Sequence, residues 1–501
     1  MGKIIGIDLG TTFSAVAQLD DTGRAVIVHN QEGENITASA VEFVSDELIY
    51  VGSEAKKSLG TDSKNVLEKF KIEMGRDKQY ETDYGNFSPR ELSTLVLSKL
   101  KKDTEEKIGE IDSAVVTIPA NFSNNAREET IKAAEDAGLN VDYIINEPTA
   151  AALFYSKESG EDLSEPICIF DLGGGTFDVS IIQVEDNEIE VLASDGLEKL
   201  GGANFDKKLQ DLVIKKFKDE KNKNIKTVDF SLNEAEQLKI SLSKREDALA
   251  RAKNTNIKIS RKEFEKEISK YISQTELCVE NALEEANLEV SDISKIVLAG
   301  GSTRIPCVRN SIKKIFGKDP TVFNNPDEIV ALGAAIYAAY KADPDLLNPI
   351  QKSTVEKINI QELTTMCFGT RAMHFNDNAQ TPKLSNTVII ERGSKIPISI
   401  TEEFFTLADN QEAVDCSVTE SRNAETDLNF VKTIWDGSLE LPSGREAGQK
   451  IEVTFSFTAN QTMECSFVDV ATNRKTDIDL QMTNSNESDD DELDISQFTI
   501  E

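Results

Sequence analysis

The sequence predicts an α/β domain followed by an all-β domain, and three observations support this fold class. Up to about residue 342, short apolar strands alternate with amphipathic helices. Residues 343–363 are polar and contain helix-breaking prolines. From residue 364 to 480, strand patterns separated by turn residues dominate. We therefore predict domains at 1–342 and 364–480, a linker at 343–363 and a tail at 481–501, a division that fits the 501-residue length.

In the first predicted domain, apolar strands alternate with helical periodicity. The strands are predicted at residues 4–8, 114–118, 167–171 and 296–299, and the helices at residues 89–107, 125–137, 205–218, 232–244 and 261–286. An alanine-rich segment at 329–340 closes this domain. In the second domain, strands are predicted at 387–390, 413–418 and 451–457. The acidic run 487–494 predicts a disordered tail, whose simplest role is to keep the protein soluble.

The composition excludes several kinds of function. A net charge of -34 argues against nucleic-acid binding, because the phosphates would repel such a surface. The first residues run directly into a strand pattern, and no apolar stretch is long enough to cross a membrane, so we expect a cytoplasmic protein. The six cysteines are scattered, which is typical of reduced thiols. Since His29 and His374 are the two histidines in the sequence, carboxylates, lysine, backbone amides and a metal must carry any chemistry.

Two segments of the sequence, residues 7–14 and 170–178, share one pattern. Each is an apolar strand that ends in an aspartate, Asp8 or Asp171, and continues through a small-residue turn into a second strand. Such turns let backbone amides approach an anion, and Mg²⁺ is often held by aspartates through water. The predicted phosphate-binding residues are Gly10, Thr11, Thr12, Gly173, Gly174, Gly175 and Thr176. Two ordinary glycine hairpins are the alternative, but the duplication favours a site that grips a polyphosphate from both sides.

A third glycine pair follows the predicted strand at 296–299. Gly300 and Gly301 would let the backbone lie flat against an adenine or a ribose, and Arg304 could stack on the base. Neither a P-loop nor a Gly-x-Gly-x-x-Gly motif occurs in the sequence.

Six segments, at residues 8–12, 146–152, 171–178, 200–206, 300–306 and 325–328, resemble the motifs of the 70-kDa heat-shock chaperones, in the same order. The resemblance runs from residue 3 to about residue 480. It implies an actin-like two-lobed ATPase domain followed by a β-sandwich that binds extended peptides. The implied function is an ATP-hydrolysing chaperone that binds hydrophobic segments of unfolded proteins. The implied cofactors are ATP or ADP and Mg²⁺, with K⁺ as a further candidate.

The resemblance also implies roles for individual residues. The implied catalytic residues are Asp8, Lys71, Glu147 and Asp171, of which Asp8 and Asp171 lie near the hydrated Mg²⁺ and Lys71 helps to place the attacking water. Further implied nucleotide contacts are Gly201, Gly202, Glu236, Lys239, Ser243, Ser302 and Asp327. Pro119 and Arg127 match residues that relay the nucleotide state between domains. Met373, Phe404, Leu407 and Val414 match the peptide groove, although they could instead fill the core of the sandwich. The implied partners of this monomeric protein are client polypeptides, a J-domain co-chaperone and a nucleotide exchange factor.

Four features depart from the family pattern. Ile240 stands where an arginine commonly faces the adenine, so nucleotide affinity is expected to be reduced. The stretches after Arg76 and Lys244 are shorter than usual, which affects the docking of exchange factors. The connector at 356–363 lacks the family's compact leucine-rich run, so coupling between domains is expected to be weak. The helical lid over the peptide is expected to be absent.

Two other functions stay open on the sequence. One is a small-molecule kinase on the same actin-like fold, although the β-rich second half argues against it. The other is a regulatory relative that binds ATP but serves mainly as an interaction scaffold. The intact set of Asp8, Lys71, Glu147 and Asp171 argues against the scaffold, and the altered connector argues for it.

Overall fold

A computed structural model describes residues 2–59, 64–159, 165–185, 188–356, 358–374, 382–458, 461–479 and 498–501. The chain divides into two compact units. The first unit comprises Met1–Phe122, Glu129–Ile360 and Leu493–Glu501. The second comprises Ser123–Glu128 and Gln361–Glu492.

The α-helices of the described residues are α1 Ser53–Ser58, α2 Pro89–Ile108, α3 Asn124–Asp136, α4 Glu147–Ser159, α5 Gly202–Lys221, α6 Leu232–Lys244, α7 Arg261–Glu285, α8 Pro306–Phe316, α9 Ile329–Lys341 and α10 Pro349–Val355. The strands up to residue 300 are β1 Ile4–Asp8, β2 Phe13–Leu19, β3 Ala25–Val28, β4 Thr37–Ala38, β5 Ala40–Phe43, β6 Leu48–Val51, β7 Val66–Glu68, β8 Tyr80–Glu81, β9 Asn86–Phe87, β10 Ser113–Ile118, β11 Tyr143–Asn146, β12 Ile167–Leu172, β13 Phe177–Glu185, β14 Glu188–Leu197, β15 Asp247–Ala252, β16 Thr255–Ser260 and β17 Lys295–Ala299. The later strands are β18 Asn359–Gln361, β19 Cys367–His374, β20 Lys383–Ile390, β21 Ile398–Phe405, β22 Ala413–Ser421, β23 Lys432–Glu440, β24 Lys450–Phe457, β25 Met463–Asp469, β26 Arg474–Asp479 and β27 Thr499–Ile500.

Two mixed sheets of the first unit repeat one arrangement. The first sheet has the order β11-β10-β1-β2-β3, and the second has the order β17-β12-β13-β14-β18. In the first, β1 forms an antiparallel hairpin with β2 and runs parallel to β10 on its other side. In the second, β12 forms the same kind of hairpin with β13 and runs parallel to β17. Both hairpin turns therefore leave a strand at its carboxyl end, which is where parallel α/β sheets usually bind ligands.

Helices α4 and α9 pack between these two sheets. Helix α4 contacts β12 and β13, and helix α9 contacts β1 and β2. The two helices touch each other at Gly333, where a Cβ atom would collide with the carbonyl oxygen of Ala150. Because only glycine permits this approach, the helix pair can hold the two hairpins at a fixed separation.

Two four-stranded antiparallel sheets form most of the second unit. Their orders are β20-β19-β22-β23 and β21-β24-β25-β26. Both sheets contribute to one apolar core, which contains Phe368 and Val418 from the first sheet and Phe455 and Phe467 from the other. Between residues 364 and 479, the described residues contain strands and no α-helix, as the sequence predicted.

The segment that the sequence predicted as a polar linker differs in the structure. Pro349–Val355 forms α10, with Asn348 as its N-cap and a proline in its first turn. A proline after an asparagine breaks one helix but also suits the start of the next. The N–H group of the first helical residue has no partner within the helix, so its loss in proline costs nothing there. Gln351 is buried and donates to the carbonyl oxygens of Leu19 and Asp20, which ties the helix to the end of β2.

The predicted disordered tail is wrong at its end. Its acidic run, residues 487–494, lies outside the described residues, but Thr499–Ile500 forms strand β27 in the first unit. The local sequence explains the difference, since Phe498 and Ile500 alternate with polar residues, as in a half-exposed strand.

Candidate functional site

A cavity of about 590 Å³ opens in the first unit at the ends of the two hairpins. The turn after β1 and the turn after β12 contribute to its lining, and so do helix α6 and the glycine turn after β17. The cavity thus lies where the carboxyl ends of β1, β12 and β17 meet.

The two hairpin turns face each other at close range. A Cβ atom at Gly174 would collide with the hydroxyl of Thr12, and one at Gly175 would lie 2.6 Å from the methyl group of Thr11. The backbone of the first turn is also held by a side chain, since the Ser39 hydroxyl donates to the carbonyl oxygen of Gly10 at 2.6 Å. Side chains larger than glycine would therefore push the two turns apart, so this spacing requires glycine.

The second turn is held by the glycine turn after β17 and by the start of α5. The Ser302 hydroxyl donates to the carbonyl oxygen of Gly173 at 2.8 Å. The backbone N–H groups of Gly202 and Ala203 donate to the carbonyl oxygens of Gly173 and Gly174. These bonds fix the carbonyl groups of the turn.

Buried carboxylates crowd one end of the cavity. Asp8, Glu147, Asp171 and Asp178 are all buried or nearly so, and Lys71 lies among them, with its Nζ 2.8 Å from Glu147 Oε1. Lys71 sits in a short 3-10 turn, Phe70–Glu73, and is itself 3% exposed. One lysine cannot neutralise four carboxylates, so this end of the cavity carries excess negative charge.

Burial first, and this excess charge second, raise the pKa values of the aspartates. Burial, followed by repulsion from Glu147, raises the pKa of Asp8 to about 7. The same two causes raise the pKa of Asp178 to about 7. For Asp171, burial and then repulsion from Glu147 raise the pKa well above its usual range. A cation placed here would relieve the repulsion and return these groups to their ionised state.

The carboxylate end fits a hydrated Mg²⁺. Within the described ranges, no three carboxylate, histidine or cysteine side chains converge closely enough to ligate a metal directly. Mg²⁺ keeps several of its waters and is commonly held by one or two carboxylates together with phosphate oxygens. Asp8 and Asp171, at the ends of paired strands, are suited to hold such waters.

The far end of the cavity has a different electrostatic character, because each acid there has a basic partner. Lys56 pairs with Glu236 at 2.9 Å, Lys239 with Asp206 at 2.7 Å, and Arg304 with Asp327 at 2.8 Å. Although burial raises the pKa of Glu236, attraction to Lys56 and Lys239 outweighs it and lowers the pKa below its usual value. The cavity therefore joins an anionic end to an end whose acids are each paired with a base, called the balanced end below, where Lys244 and Arg309 add two further cations to the lining.

The family model described as Hsp70 protein matches residues 4–498 of the chain. The chain belongs to the Hsp70 family. The match covers nearly the whole sequence, so it confirms the resemblance to the 70-kDa heat-shock chaperones, whose members are ATP-dependent chaperones with ATPase activity.

The cavity brings together most of the nucleotide residues that the Hsp70 motifs predicted. Those that line it are Asp8, Gly10, Thr11, Thr12, Lys71, Glu147, Asp171, Gly173, Gly174, Thr176, Glu236, Lys239, Ser243, Gly300, Gly301, Ser302, Arg304 and Asp327. Gly175, Gly201 and Gly202 lie behind this lining, where the close approach of two backbones explains the glycines: a Cβ atom at Gly201 would lie 2.6 Å from Gly174.

Two predicted residues lie away from the cavity. Pro119 belongs to the first unit and accepts a hydrogen bond from the N–H of Phe122. Arg127 belongs to the segment Ser123–Glu128, which is part of the second unit, and its Nη1 donates to Gln461 Oε1 at 2.6 Å. Their relay role stays a prediction.

Sequence reasoning assigned no role to three charged residues of this Hsp70-family site. Asp178 pairs in register with Asp171 across the β12–β13 hairpin, a relation that the predicted strand–turn–strand pattern already contained. Asp206 lies in α5 and Lys56 in α1, far from their partners in sequence. No local pattern marks Lys56, because its role depends on the tertiary approach of α1 to α6.

The four predicted groove residues of the second unit differ in exposure. Met373 and Leu407 are exposed by 39% and 48%, whereas Phe404 and Val414 are partly buried and pack against the shared core. Leu384, which pairs in register with Met373, and Phe405 are also exposed. An apolar surface that includes Met373 and Leu407 is therefore present on this unit. Phe404 and Val414 instead contribute to the core.

No helix among the described residues is both long enough and apolar enough to pass through a membrane.

Proposed function

We propose that this Hsp70-family chain is a Mg²⁺-dependent ATP hydrolase whose nucleotide cycle controls the binding of extended, apolar segments of unfolded proteins. In this proposal the first unit is a two-lobed, actin-like ATPase domain and the second a peptide-binding β-sandwich. One observation carries it: two facing glycine turns meet at a cavity end where the buried Lys71 lies among the carboxylates of Asp8, Glu147 and Asp171.

The chain's own residues can perform most of the chemistry. The turns offer backbone amides and the hydroxyls of Thr11, Thr12 and Thr176 to the phosphate oxygens. Lys71, oriented by Glu147 at 2.8 Å, can hold an attacking water and stabilise charge on the reacting phosphate. Phosphoryl transfer to water needs positioning and charge neutralisation more than covalent catalysis. Mg²⁺, when bound near Asp8 and Asp171, supplies the positive charge that the phosphates and aspartates require.

The balanced end of the cavity suits the uncharged adenosine. The Lys56–Glu236 and Lys239–Asp206 pairs restrain their own side chains, so this part of α6 presents a rigid polar edge to the cavity. Gly301 lets the side chain of Asp327 pack closely against this turn, since a Cβ atom at Gly301 would lie 2.4 Å from Asp327 Oδ1. A nucleotide would therefore bind with its phosphates toward Lys71 and its base toward α6.

Single-turnover ATP hydrolysis tests the proposal. Hydrolysis should require Mg²⁺, should stop in EDTA, and should be stimulated only weakly by an unstructured apolar peptide, because the connector departs from the family pattern. Phosphate transfer to a sugar instead of water would favour a kinase. Tight ATP binding without phosphate release would favour the scaffold.

Peptide release from the second unit tests the other half of the proposal. Met373 and Leu407 are the exposed members of the predicted groove, so Met373→Ala combined with Leu407→Ala should speed the dissociation of a fluorescent apolar peptide. Lys432→Ala is the matched control, because Lys432 is exposed and lies at the other end of the β22–β23 pair from Val414. Equal dissociation from both variants would place the groove elsewhere.

A further inference from the structure

The sheet β27-β6-β5-β7 of the first unit is completed by a strand from the end of the chain. Strand β27 runs parallel to β6, with Thr499 opposite Leu48 and Ile500 opposite Ile49. Without it, β6 would be an edge strand with a row of unpaired backbone groups, which is the usual template for adding a peptide strand.

Main-chain hydrogen bonds hold the added strand, and three of them involve Glu47 or Glu501, just outside the two strands. The N–H of Thr499 donates to the carbonyl oxygen of Glu47 at 2.7 Å, and the N–H of Glu501 donates to that of Ile49 at 3.0 Å. In return, Val51 donates to the carbonyl oxygen of Glu501 at 2.8 Å. Because backbone groups alternate along a strand, the Ile500 amide faces away from β6, and its carbonyl oxygen instead accepts a bond from Lys102 Nζ at 2.9 Å.

Side chains supply the selectivity. Phe498 and Ile500 are half-buried, whereas Thr499 and Glu501 are exposed. The Phe498 ring meets the edge of Phe43 at a centroid distance of 6.4 Å, and Phe43 in turn stacks on Phe87 at 4.2 Å. The bound segment therefore makes an aromatic contact two residues before its half-buried aliphatic residue, while its backbone pairs with that of β6.

We propose that the edge of β6 is a peptide-binding site of the strand-addition type and that residues 498–501 of this chain are its resident ligand. The site accepts an extended segment with an aromatic residue two positions before a branched aliphatic one. It is separate from the groove proposed on the second unit and does not depend on the proposed ATPase function.

The contact is small enough to exchange. A few backbone bonds and one aromatic pair would hold a free peptide only weakly, but covalent attachment gives the chain's own segment an effective concentration on the order of millimolar. The full chain should therefore keep its own segment bound and exclude a free peptide. Removal of that segment should open the site.

The test uses a fluorescein-labelled peptide with the sequence of residues 496–501 and a chain that ends at residue 497. Fluorescence anisotropy should show binding to the shortened chain and an apparent affinity at least about tenfold lower for the full chain. An unlabelled apolar client peptide should not compete. Binding of equal strength to both chains, or no binding to a shortened chain that still binds nucleotide, would overturn the proposal.

Two N-methylated peptides test the hydrogen-bond register. Methylation of the nitrogen that corresponds to Glu501 removes the bond to Ile49 and should abolish binding. Methylation at Ile500 adds the same group to an amide that faces away from β6, and should leave binding largely intact. If both peptides bind equally, the strand is not paired as described.

Two exposed lysines of α2 give a matched pair on the protein side. Lys102→Ala in the shortened chain removes the donor to the Ile500 carbonyl and should weaken peptide binding by about threefold to tenfold. Lys107→Ala, one turn further along the exposed surface of the same helix, should have no effect. Equal effects of the two changes would rule out the assigned contact.

Hydrogen exchange of the full chain provides a readout that needs no truncation. Phe498→Asp should displace the segment and increase exchange at the Val51 amide, while the amides between β5 and β6 stay protected. Unchanged protection of Val51 would contradict the proposal. A dimer of the full chain that disappears when the segment is removed would overturn the intramolecular arrangement.

Discussion

The two ends of the cavity contain similar numbers of charged side chains but arrange them in opposite ways. At the hairpin end, Asp8, Glu147, Asp171 and Asp178 share Lys71. At the α6 end, Glu236, Asp206 and Asp327 each have their own cation, namely Lys56, Lys239 and Arg304. The carboxylates of the hairpin end are not neutralised without an added cation, whereas those of the α6 end are neutralised by side chains of the protein.

This difference suggests separate roles for the two ends: catalysis at the hairpin end and positioning of the nucleotide at the α6 end. Unneutralised, buried carboxylates cost free energy in the folded state, and that cost is relieved when they are protonated or when a cation binds. Paired charges hold side chains in place but gain little from an added ion. Changes at the hairpin end should therefore alter catalysis, metal dependence and pH dependence, and changes at the α6 end should alter nucleotide affinity and release.

The largest expected effect is at the hairpin end. Asp8→Asn, Asp171→Asn and Lys71→Ala should each lower Mg²⁺-dependent single-turnover hydrolysis by about tenfold to a thousandfold, because each removes charge that positions the metal or the reacting phosphate. Lys71→Ala should still bind ATP. Lys207→Ala, which disturbs an exposed pair with Asp211, is the control. Near-normal turnover in any of the three variants would remove that residue from the site.

The second effect is a pH-dependent stabilisation by Mg²⁺. The pKa of Asp8 and that of Asp178 are raised from 3.8 to about 7, so the folded state binds more protons than the unfolded state between these values. Stability from these groups is therefore highest at low pH and falls as the pH rises toward about 7. Mg²⁺ should raise the melting temperature clearly at about pH 8 and much less at about pH 5, since protonated carboxyl groups do not attract the ion.

Two variants decide whether this pH dependence belongs to the hairpin end. Asp8→Asn should reduce the difference in Mg²⁺ stabilisation between the two pH values. Glu236→Gln should leave it unchanged, because the pKa of Glu236 is lowered and the group stays ionised across this range. The same response from both variants would mean that the two ends are not electrostatically distinct.

The third effect tests the balanced end. Lys56→Ala leaves Glu236 without its nearest cation and removes a link between α1 and α6, so ADP dissociation should accelerate by about tenfold. Hydrolysis in a single turnover should change little. Lys57→Ala is the control, since Lys57 pairs with Glu54 on the exposed surface of the same helix. Exchange of the two charges, by Lys56→Glu with Glu236→Lys, should restore slow release, and failure to do so would contradict the pairing.

The sequence alone predicted the hairpin end better than the α6 end. Asp8, Asp171 and the glycines of both turns are marked by a local pattern of strand, turn and strand, so they could be recognised without knowledge of the fold. The acid–base pairs of the α6 end join elements far apart in sequence, as Lys56 of α1 meets Glu236 of α6. Strand β27 was missed for the same reason, because its partner β6 lies about 450 positions earlier and only tertiary structure reveals the pairing.

The smallest expected effect is a gain of affinity at the balanced end. Ile240 lines the cavity and is 39% exposed on α6, one helical turn after Glu236, so a longer side chain there can reach a bound base. Ile240→Arg should strengthen ATP and ADP binding by about twofold to fivefold through cation–π stacking on the adenine. Gln237→Arg adds the same charge at an exposed position of α6 outside the cavity, and should leave affinity unchanged.

Calorimetric titration with ADP and with inorganic pyrophosphate separates base from phosphate contacts. A gain for pyrophosphate as large as that for ADP would assign the effect to general attraction of anions, and would place the base elsewhere than beside α6.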